Sequence, residues 1–562
     1  MPGASGYLVH RAETPDGPFG ILDHLSGDVL AVPGPPYADT TGVPSETYRY
    51  TVSSLAFIEA GSGELSTPIE AASRGVGSPH VRVEVDASAA AGTLDRLWRP
   101  MIGSEHLSLL AYGRGPGDRL IGQEVEEALR LARSELGVRA VRAHAILHDE
   151  LRVYREVDGR PVYDFARIDE IYDRVMELGL RPIVELSFMP HDLAADPSKT
   201  VFQYRAIVSP PKDWARWGEL VGELARHLVE RYGIDEVSRN WAFEVWNEAN
   251  LEVFWSGTRE EYIRLYDVAA RAIKAVDSRL RVGGPASAAA GWIPPLLEHV
   301  AREGVPIDFL SSHTYGSPPL DLHATAERYG LAHLPAWWTE WGVSPRHNGD
   351  VNDLSFGAPF ICRSMKALQG RAEAIAYWVI SDHFEELGWP GRLFHGGFGL
   401  LTVGNLRKPR FWALALLERL DDELVACQLS GDGAGSVVDG LASRAADGRI
   451  KVLLWNGTLD QGKTLGEPLL SRRVDLAVSG LGSGSLELSH WRVDEAHSNI
   501  RHVWERLAGG DWPDEAGWKA LKAADKLDEL EPTRVVDAVD GSIELSFELP
   551  MPAVSMLELR PG

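Results

Sequence analysis

Between about residue 98 and residue 423, short apolar runs of strand length alternate with longer stretches whose apolar residues recur at helical spacing. The strand-like runs fall at 100–104, 138–144, 181–187, 241–246, 281–285, 308–313, 336–340 and 376–380. Between them, Val125, Leu129, Ala132 and Leu136 share one helical face. So do Ile168, Ile171, Val175 and Leu178, and then Trp217, Val221, Leu224 and Leu228. Eight strands with intervening helices, closed by a helix near 411–420, predict a (β/α)8 barrel over 98–423. In such a barrel the active face lies at the C-terminal ends of the strands.

The flanks follow a strand rhythm. Tyr7-Leu-Val-His-Arg-Ala-Glu-Thr-Pro-Asp-Gly-Pro-Phe and Thr47-Tyr-Arg-Tyr-Thr-Val-Ser-Ser-Leu alternate in period two. These two segments resemble a fibronectin type III module, with no counterpart of its first two strands before Tyr7. Residues 1–80 are therefore expected to form a partial fibronectin type III-like β-domain with an Ala, Ser and Gly-rich linker. After about residue 424 strands return at 440–444, 450–455 and 542–549, interrupted by a helical insertion near 513–530. They predict a C-terminal β-sandwich over 424–562. The alternating run 81–86, within 81–97, is expected to join that sandwich and tie both ends of the barrel into one unit.

Composition narrows the function. The 562 residues carry a formal charge of −25, which disfavours nucleic acid and anionic membranes because both require clustered Lys and Arg. No apolar stretch approaches the roughly 20 residues of a membrane span. The first residues lack a basic region followed by an apolar run, so no signal peptide is visible and a cytoplasmic protein is expected. Cys362 and Cys427 have neither metal-ligand nor redox spacing and read as buried free thiols. His144 and His148 have the spacing of a helical zinc pair but lie on and just past a strand, and no third ligand follows. The stretch from Gly283 lacks the lysine and glycine spacing of a phosphate loop, and no Gly-x-Ser-x-Gly elbow occurs. Neither metal nor cofactor is expected. The oligomeric state is left open.

The chemistry sits at strand ends. Trp241-Ala-Phe-Glu-Val-Trp-Asn-Glu ends on Glu248 and Ala336-Trp-Trp-Thr-Glu ends on Glu340. Two carboxyls facing across a cleft can protonate a leaving oxygen and attack an anomeric carbon. His144, Asn247, His313, Tyr315, Trp378, Glu385 and Glu386 fall just past barrel strands and converge on the same face. Asn247 is placed to donate to a sugar 2-hydroxyl; His313 and Tyr315, two apart on one strand, point the same way.

At these residues the chain resembles glycoside hydrolase family 39 of clan A, particularly its β-xylosidases. The resemblance runs over about 81–562 through Gly137-Val-Arg-Ala-Val-Arg-Ala-His, Phe243-Glu-Val-Trp-Asn-Glu-Ala-Asn, Arg281-Val-Gly-Gly-Pro-Ala and Tyr377-Trp-Val-Ile-Ser-Asp-His-Phe-Glu-Glu. It implies that Glu248 is the acid/base and Glu340 the nucleophile. It implies also that His144, Asn247, His313, Tyr315, Trp378, Glu385 and Glu386 contact the sugar or support the carboxyls. Ala249 stands where the family usually has Pro, and Trp341-Gly-Val-Ser follows Glu340 where some members have Tyr-Asn. Trp341 is expected at the pocket mouth.

The expected function is a retaining glycosidase that releases a terminal sugar, β-D-xylose first, from oligosaccharides or glycosides. The same mechanism on an α-L-arabinoside, β-glucoside, β-galactoside or α-L-iduronide is the alternative, and a non-catalytic carbohydrate-binding protein the second. An acid sugar calls for Lys or Arg in the pocket. No basic residue stands at the matched positions, and Glu385-Glu386 would repel it, so a neutral pentose is favoured. The gate segments 188–212 and 383–398 decide exo against endo action.

Overall fold

Eight parallel strands run in chain order around the catalytic region: β1 (Ile102–Ser104), β2 (Ala140–Ala143), β3 (Arg181–Glu185), β4 (Ala242–Glu244), β5 (Val282–Ala288), β6 (Phe309–Tyr315), β7 (Ala336–Gly342) and β8 (Ala374–Tyr377). The computed structural model describes residues 3–14, 17–24, 31–56, 62–72, 79–115, 119–384, 386–482, 484–507 and 509–561. The last strand meets the first: Ile375 N–H donates to Leu97 C=O at 2.8 Å and Ile380 N–H to Gly103 C=O at 3.0 Å. The sheet is thus closed into a barrel. All eight predicted runs overlap an observed strand.

Helices pack outside through the faces their sequences mark. Val125, Leu129, Ala132 and Leu136 are buried, as are Trp217, Val221, Leu224 and Leu228. Each Val or Leu side chain among them contributes about 1.5–3 kcal/mol by leaving water. Inside the barrel, strand alternation builds layers. Met101, Ala140, Ile183, Ala242, Phe309, Trp337, Ala374 and Ala376 form an apolar plug, with the Phe309 and Trp337 rings stacked at 4.0 Å. Two residues further along three of these strands stand Arg142, Glu185 and Glu244, all fully buried. Period two therefore lifts a charged layer directly above an apolar one.

Two irregularities aim the site. Ser312 pairs with Trp338 but His313 with Glu340, so Thr339 is an extra residue on β7. Such a bulge lets two consecutive side chains turn toward the same space. On β1, a Cβ at Gly103 would lie 2.5 Å from the Trp378 indole, so only glycine leaves room for that ring.

A nine-stranded sheet flanks the barrel. Its strand His80–Thr93 pairs antiparallel with Glu423–Gly431 and parallel with Arg472–Ser479, joining the segment before the barrel to the segment after it. Along it Val81, Val83 and Val85 are buried while Arg82 and Glu84 are exposed, the alternation of a one-sided strand. Of the helical insertion expected near 513–530, Glu515–Ala524 is helix while a strand begins at Asp528, and a further helix precedes it at Ile500–Arg506. The amino-terminal strands Gly6–Ala12, Gly20–Ile21, Thr47–Leu55 and Ile69–Ala72 form a separate antiparallel sheet. It reaches the barrel where Asp321 N–H donates to Ser5 C=O at 2.9 Å. Cys362 is buried and Cys427 half-buried, both as free thiols.

Candidate active site

Glu248 and Glu340 meet at the top of the barrel. Each is nearly buried, at 8% and 4% exposure. Oxygen atoms of the two carboxyls and a ring nitrogen of His313 lie within 4.8 Å of one another. Glu340 follows from the β7 bulge. Glu248 sits beyond β4 with φ +43°, a left-handed conformation rare for a side-chain-bearing residue. Its N–H donates to Ala286 C=O at 2.8 Å, and the loop then enters a helix through a capping box of Thr258 and Glu261. Strain held in this way marks functional loops.

The surroundings of the two carboxyls differ. Glu340 accepts from Arg142 Nη1 at 2.6 Å on one oxygen and from the Tyr315 hydroxyl at 2.8 Å on the other. Burial pushes its pKa up, while Arg142, His144 and the Tyr315 hydrogen bond oppose the rise. Among the described residues the Glu248 carboxyl has a single hydrogen-bond contact, to His313 Nδ1 at 2.9 Å. Burial and the neighbouring Glu340 hold its carboxyl well above the ordinary range. One proton shared by this pair therefore resides on Glu248, and the charge on Glu340.

Arg142 organises the floor and was not singled out from the sequence. Its guanidinium lies 2.7 Å from Glu185, 2.6 Å from Glu244 and 2.6 Å from Glu340, and it donates to Asn247 Oδ1 at 2.9 Å. Taking up the Asn247 oxygen leaves that amide's NH2 as its donor for a ligand. Arg142 is a basic residue outside the positions matched from the sequence: it lies fully buried beneath Glu340, with its donors engaged by protein groups. Glu185 also holds His144 Nδ1 at 2.9 Å and accepts from Ser187. Burial alone would raise the Glu185 pKa; Arg142, His144 and Ser187 outweigh it and the net shift is downward.

The wall is aromatic and acidic. The His144 ring packs against Trp378 at 4.6 Å between centroids and against Phe202 at 5.9 Å. Glu386 faces in, 3.7 Å from His144 Nε2 and 3.3 Å from His347 Nε2. Burial, then the charge of Glu105 and the other carboxyls, raises its pKa well above the usual value. Burial lowers the His347 pKa to about 4. Glu385 lies outside the described residues. Gln203 N–H donates to Glu386 C=O at 2.8 Å, so the two gate segments touch.

One placement differs from expectation. Trp341 is fully buried in the barrel wall, stacked on Phe360 at 5.1 Å, with its indole N–H donating to Ser317 C=O at 3.1 Å. It faces a packing helix and not the mouth, because the β7 bulge puts Glu340 inward and the next residue outward. Besides Arg142, sequence reading passed over Glu185, Glu244, Thr339 and His347. The first two left a signal: a charge inside an otherwise apolar strand two residues past an apolar inward position.

A parallel barrel with two inward carboxyls at strand ends, one held by an arginine and a tyrosine hydroxyl and one not, defines a glycosidase-type site. The glycosyl hydrolases family 39 model matches residues 81–327 and 323–538. The chain belongs to that family. A β-xylosidase of Caldicellulosiruptor saccharolyticus is 33% identical over 494 residues, spanning 84% of this chain and 96% of the relative. A β-xylosidase of Geobacillus stearothermophilus is 34% identical over 495 residues, spanning 82% and 92%. The solved GH39 enzyme of Xanthomonas axonopodis pv. citri superposes with a TM-score of 0.75 at 29% identity, covering 87% of this chain and 98% of its own.

Proposed function

We propose that this chain is a retaining, exo-acting β-D-xylosidase with Glu340 as nucleophile and Glu248 as acid/base. The observation that carries the mechanism is the spacing of the pair, with carboxyl oxygens within 4.8 Å. Retaining enzymes hold their carboxyls about 5–5.5 Å apart, and inverting ones leave about 6.5–9.5 Å for a water. In the first step Glu340 attacks the anomeric carbon and Glu248 protonates the leaving oxygen. In the second, Glu248 takes a proton from the water that releases the sugar. Asn247 donates to the 2-hydroxyl, and Tyr315 and Arg142 orient the nucleophile. His144, Trp378 and Glu386 hold the remaining face of the ring.

The contact between Gln203 and Glu386 supports a closed pocket and hence exo action, since a groove needs those segments apart. The engaged donors of Arg142 support a neutral sugar over an iduronide. The β-xylosidase relatives support xylose. The flanking regions read as a β-sandwich and a partial fibronectin type III-like unit. The sandwich is supported by one apolar core that spans the nine-stranded sheet, from Leu486 to Ile543.

The test is hydrolysis of nitrophenyl β-xyloside, α-arabinoside, β-glucoside, β-galactoside and α-iduronide, with Glu340→Ala as the blank. Dominant xyloside cleavage that the variant abolishes is expected. Dominant cleavage of another glycoside would overturn the sugar assignment, and cleavage retained by the variant would overturn the nucleophile.

A further inference from the structure

Behind Glu248 runs a chain of hydrogen bonds that ends on a second buried carboxylate. Thr339, the extra residue of the β7 bulge, donates its hydroxyl to Glu244 Oε1 at 2.8 Å. The other Glu244 oxygen accepts from Arg142 Nε at 2.6 Å. His313 Nε2 lies 3.2 Å from the same Thr339 oxygen, and His313 Nδ1 lies 2.9 Å from Glu248 Oε1. Thr339, Glu244, Arg142 and His313 are fully buried, and Glu248 is nearly so.

The direction of each bond follows from proton inventory. A carboxylate paired with arginine only accepts, so the one hydroxyl hydrogen of Thr339 goes to Glu244. The Thr339 oxygen must then accept, and His313 Nε2 carries the hydrogen that it accepts. Burial, with Arg142 and His144 nearby, holds His313 neutral, leaving one N–H on the ring. His313 Nδ1 is therefore a bare lone pair, and a 2.9 Å contact to a carboxyl oxygen needs a hydrogen on that carboxyl.

We propose that Thr339 is a positioning residue: by donating to Glu244 it fixes His313 as the Nε2–H tautomer, which presents Nδ1 to Glu248 and keeps a proton on the acid/base carboxyl. The proposal rests on Glu248 as the acid/base. When Glu248 gives its proton to the leaving oxygen, Oε1 and Nδ1 face each other as two acceptors. That repulsion destabilises the ionised carboxylate and strengthens it as the base that takes the proton of the incoming water. No proton is gained or lost over the two steps. The other groups facing Glu248 are Tyr315 on β6, Glu340 on β7, Arg142 on β2, Glu185 on β3 and Glu386 beyond β8. Of these, Glu340 comes nearest to the His313 ring, with Oε2 3.7 Å from Nδ1, outside hydrogen-bond distance, whereas Glu248 Oε1 lies at 2.9 Å.

The test compares wild type with Thr339→Val and Thr339→Ser. Long-range proton–nitrogen correlation NMR on histidine-labelled free enzyme reads the His313 tautomer, assigned with a His313→Gln control. Wild type and Thr339→Ser should show Nε2–H. Thr339→Val should shift toward Nδ1–H, which donates to the Glu248 carboxylate and moves the alkaline limb of kcat/KM down by about one pH unit. Thr339→Ser should restore the limb. An Nδ1–H tautomer in wild type overturns the proposal whether or not the variants fold. So does a Thr339→Val enzyme that loses rate with its pH limb unmoved. The NMR arm needs no substrate, so failure to cleave any glycoside would defeat the functional reading while the tautomer still tests the relay.

Discussion

Arg142 donates to Glu340 from beneath at 2.6 Å, and this bond separates the roles of two carboxyls that are otherwise alike in burial. Glu248 has no cation of its own within hydrogen-bond reach among the described residues. Charge settles on Glu340 and the proton on Glu248, the division a double displacement requires.

The first prediction concerns that cation. Arg142→Met removes the partner that Glu185, Glu244 and Glu340 share, leaving buried carboxylates uncompensated. A loss of about 3–5 kcal/mol is expected, read as a lower midpoint in urea unfolding. Arg142→Lys keeps the charge but not the fork that spans several acceptors. It should fold, and kcat should fall about 100-fold through a misplaced Glu340. Equal activity in the Lys variant would show that charge alone suffices.

Acid catalysis can be isolated by the leaving group. Glu248→Ala should lose about 10²–10⁴-fold on xylosides with poor leaving groups. On dinitrophenyl xyloside, which departs unaided, the first step should be nearly intact. Added azide should restore turnover and give a product of retained configuration. A uniform loss across leaving groups would deny Glu248 the acid role.

Glu386 should cost stability as the pH rises. Its pKa is raised in the folded state, by burial and then by Glu105 and neighbouring carboxyls, so the native protein binds this proton more tightly than the unfolded chain. Its contribution is fully present below the unfolded pKa and is lost as pH rises through the folded pKa. Glu386→Gln, neutral at all pH, should therefore raise Tm at pH 8 and show little gain at pH 4, while KM for xyloside increases. Thermal scans at both values decide the matter; a gain that is larger at pH 4 contradicts it.

Much of this architecture could be read from the chain because strand and helix patterns are local. The eight strand runs, the buried faces of the helices at Val125–Leu136 and Trp217–Leu228, and the carboxyls at Glu248 and Glu340 needed only period and position. The relay did not show. Arg142 and Glu244 are 102 residues apart, and Thr339 reaches inward only because of a one-residue bulge that no local spacing marks. Trp341 was misplaced for the same reason: a bulge shifts by one which residues face the barrel interior.

The loop that carries Glu386 depends on a second buried cation. Lys408 Nζ lies 2.6 Å from both Asp353 and Asp382, whose other oxygens accept from Gly396 and Gly399 N–H at 2.6 and 2.8 Å. Lys408→Met breaks this network and strands two buried carboxylates. It should destabilise the fold by about 3–5 kcal/mol. KM should rise as the 383–398 segment loosens, and faster proteolysis within that segment would report it. An unchanged KM at a temperature where the variant is folded would separate the network from the pocket.

The most direct test of the mechanism is the configuration of the sugar as it leaves the enzyme, followed by proton NMR during cleavage of nitrophenyl β-xyloside. Carboxyls this close predict β-xylose first, with the α-anomer growing later by mutarotation. If α-xylose appears first, a water and not Glu340 attacks the anomeric carbon, and the assignment of a retaining pair is wrong.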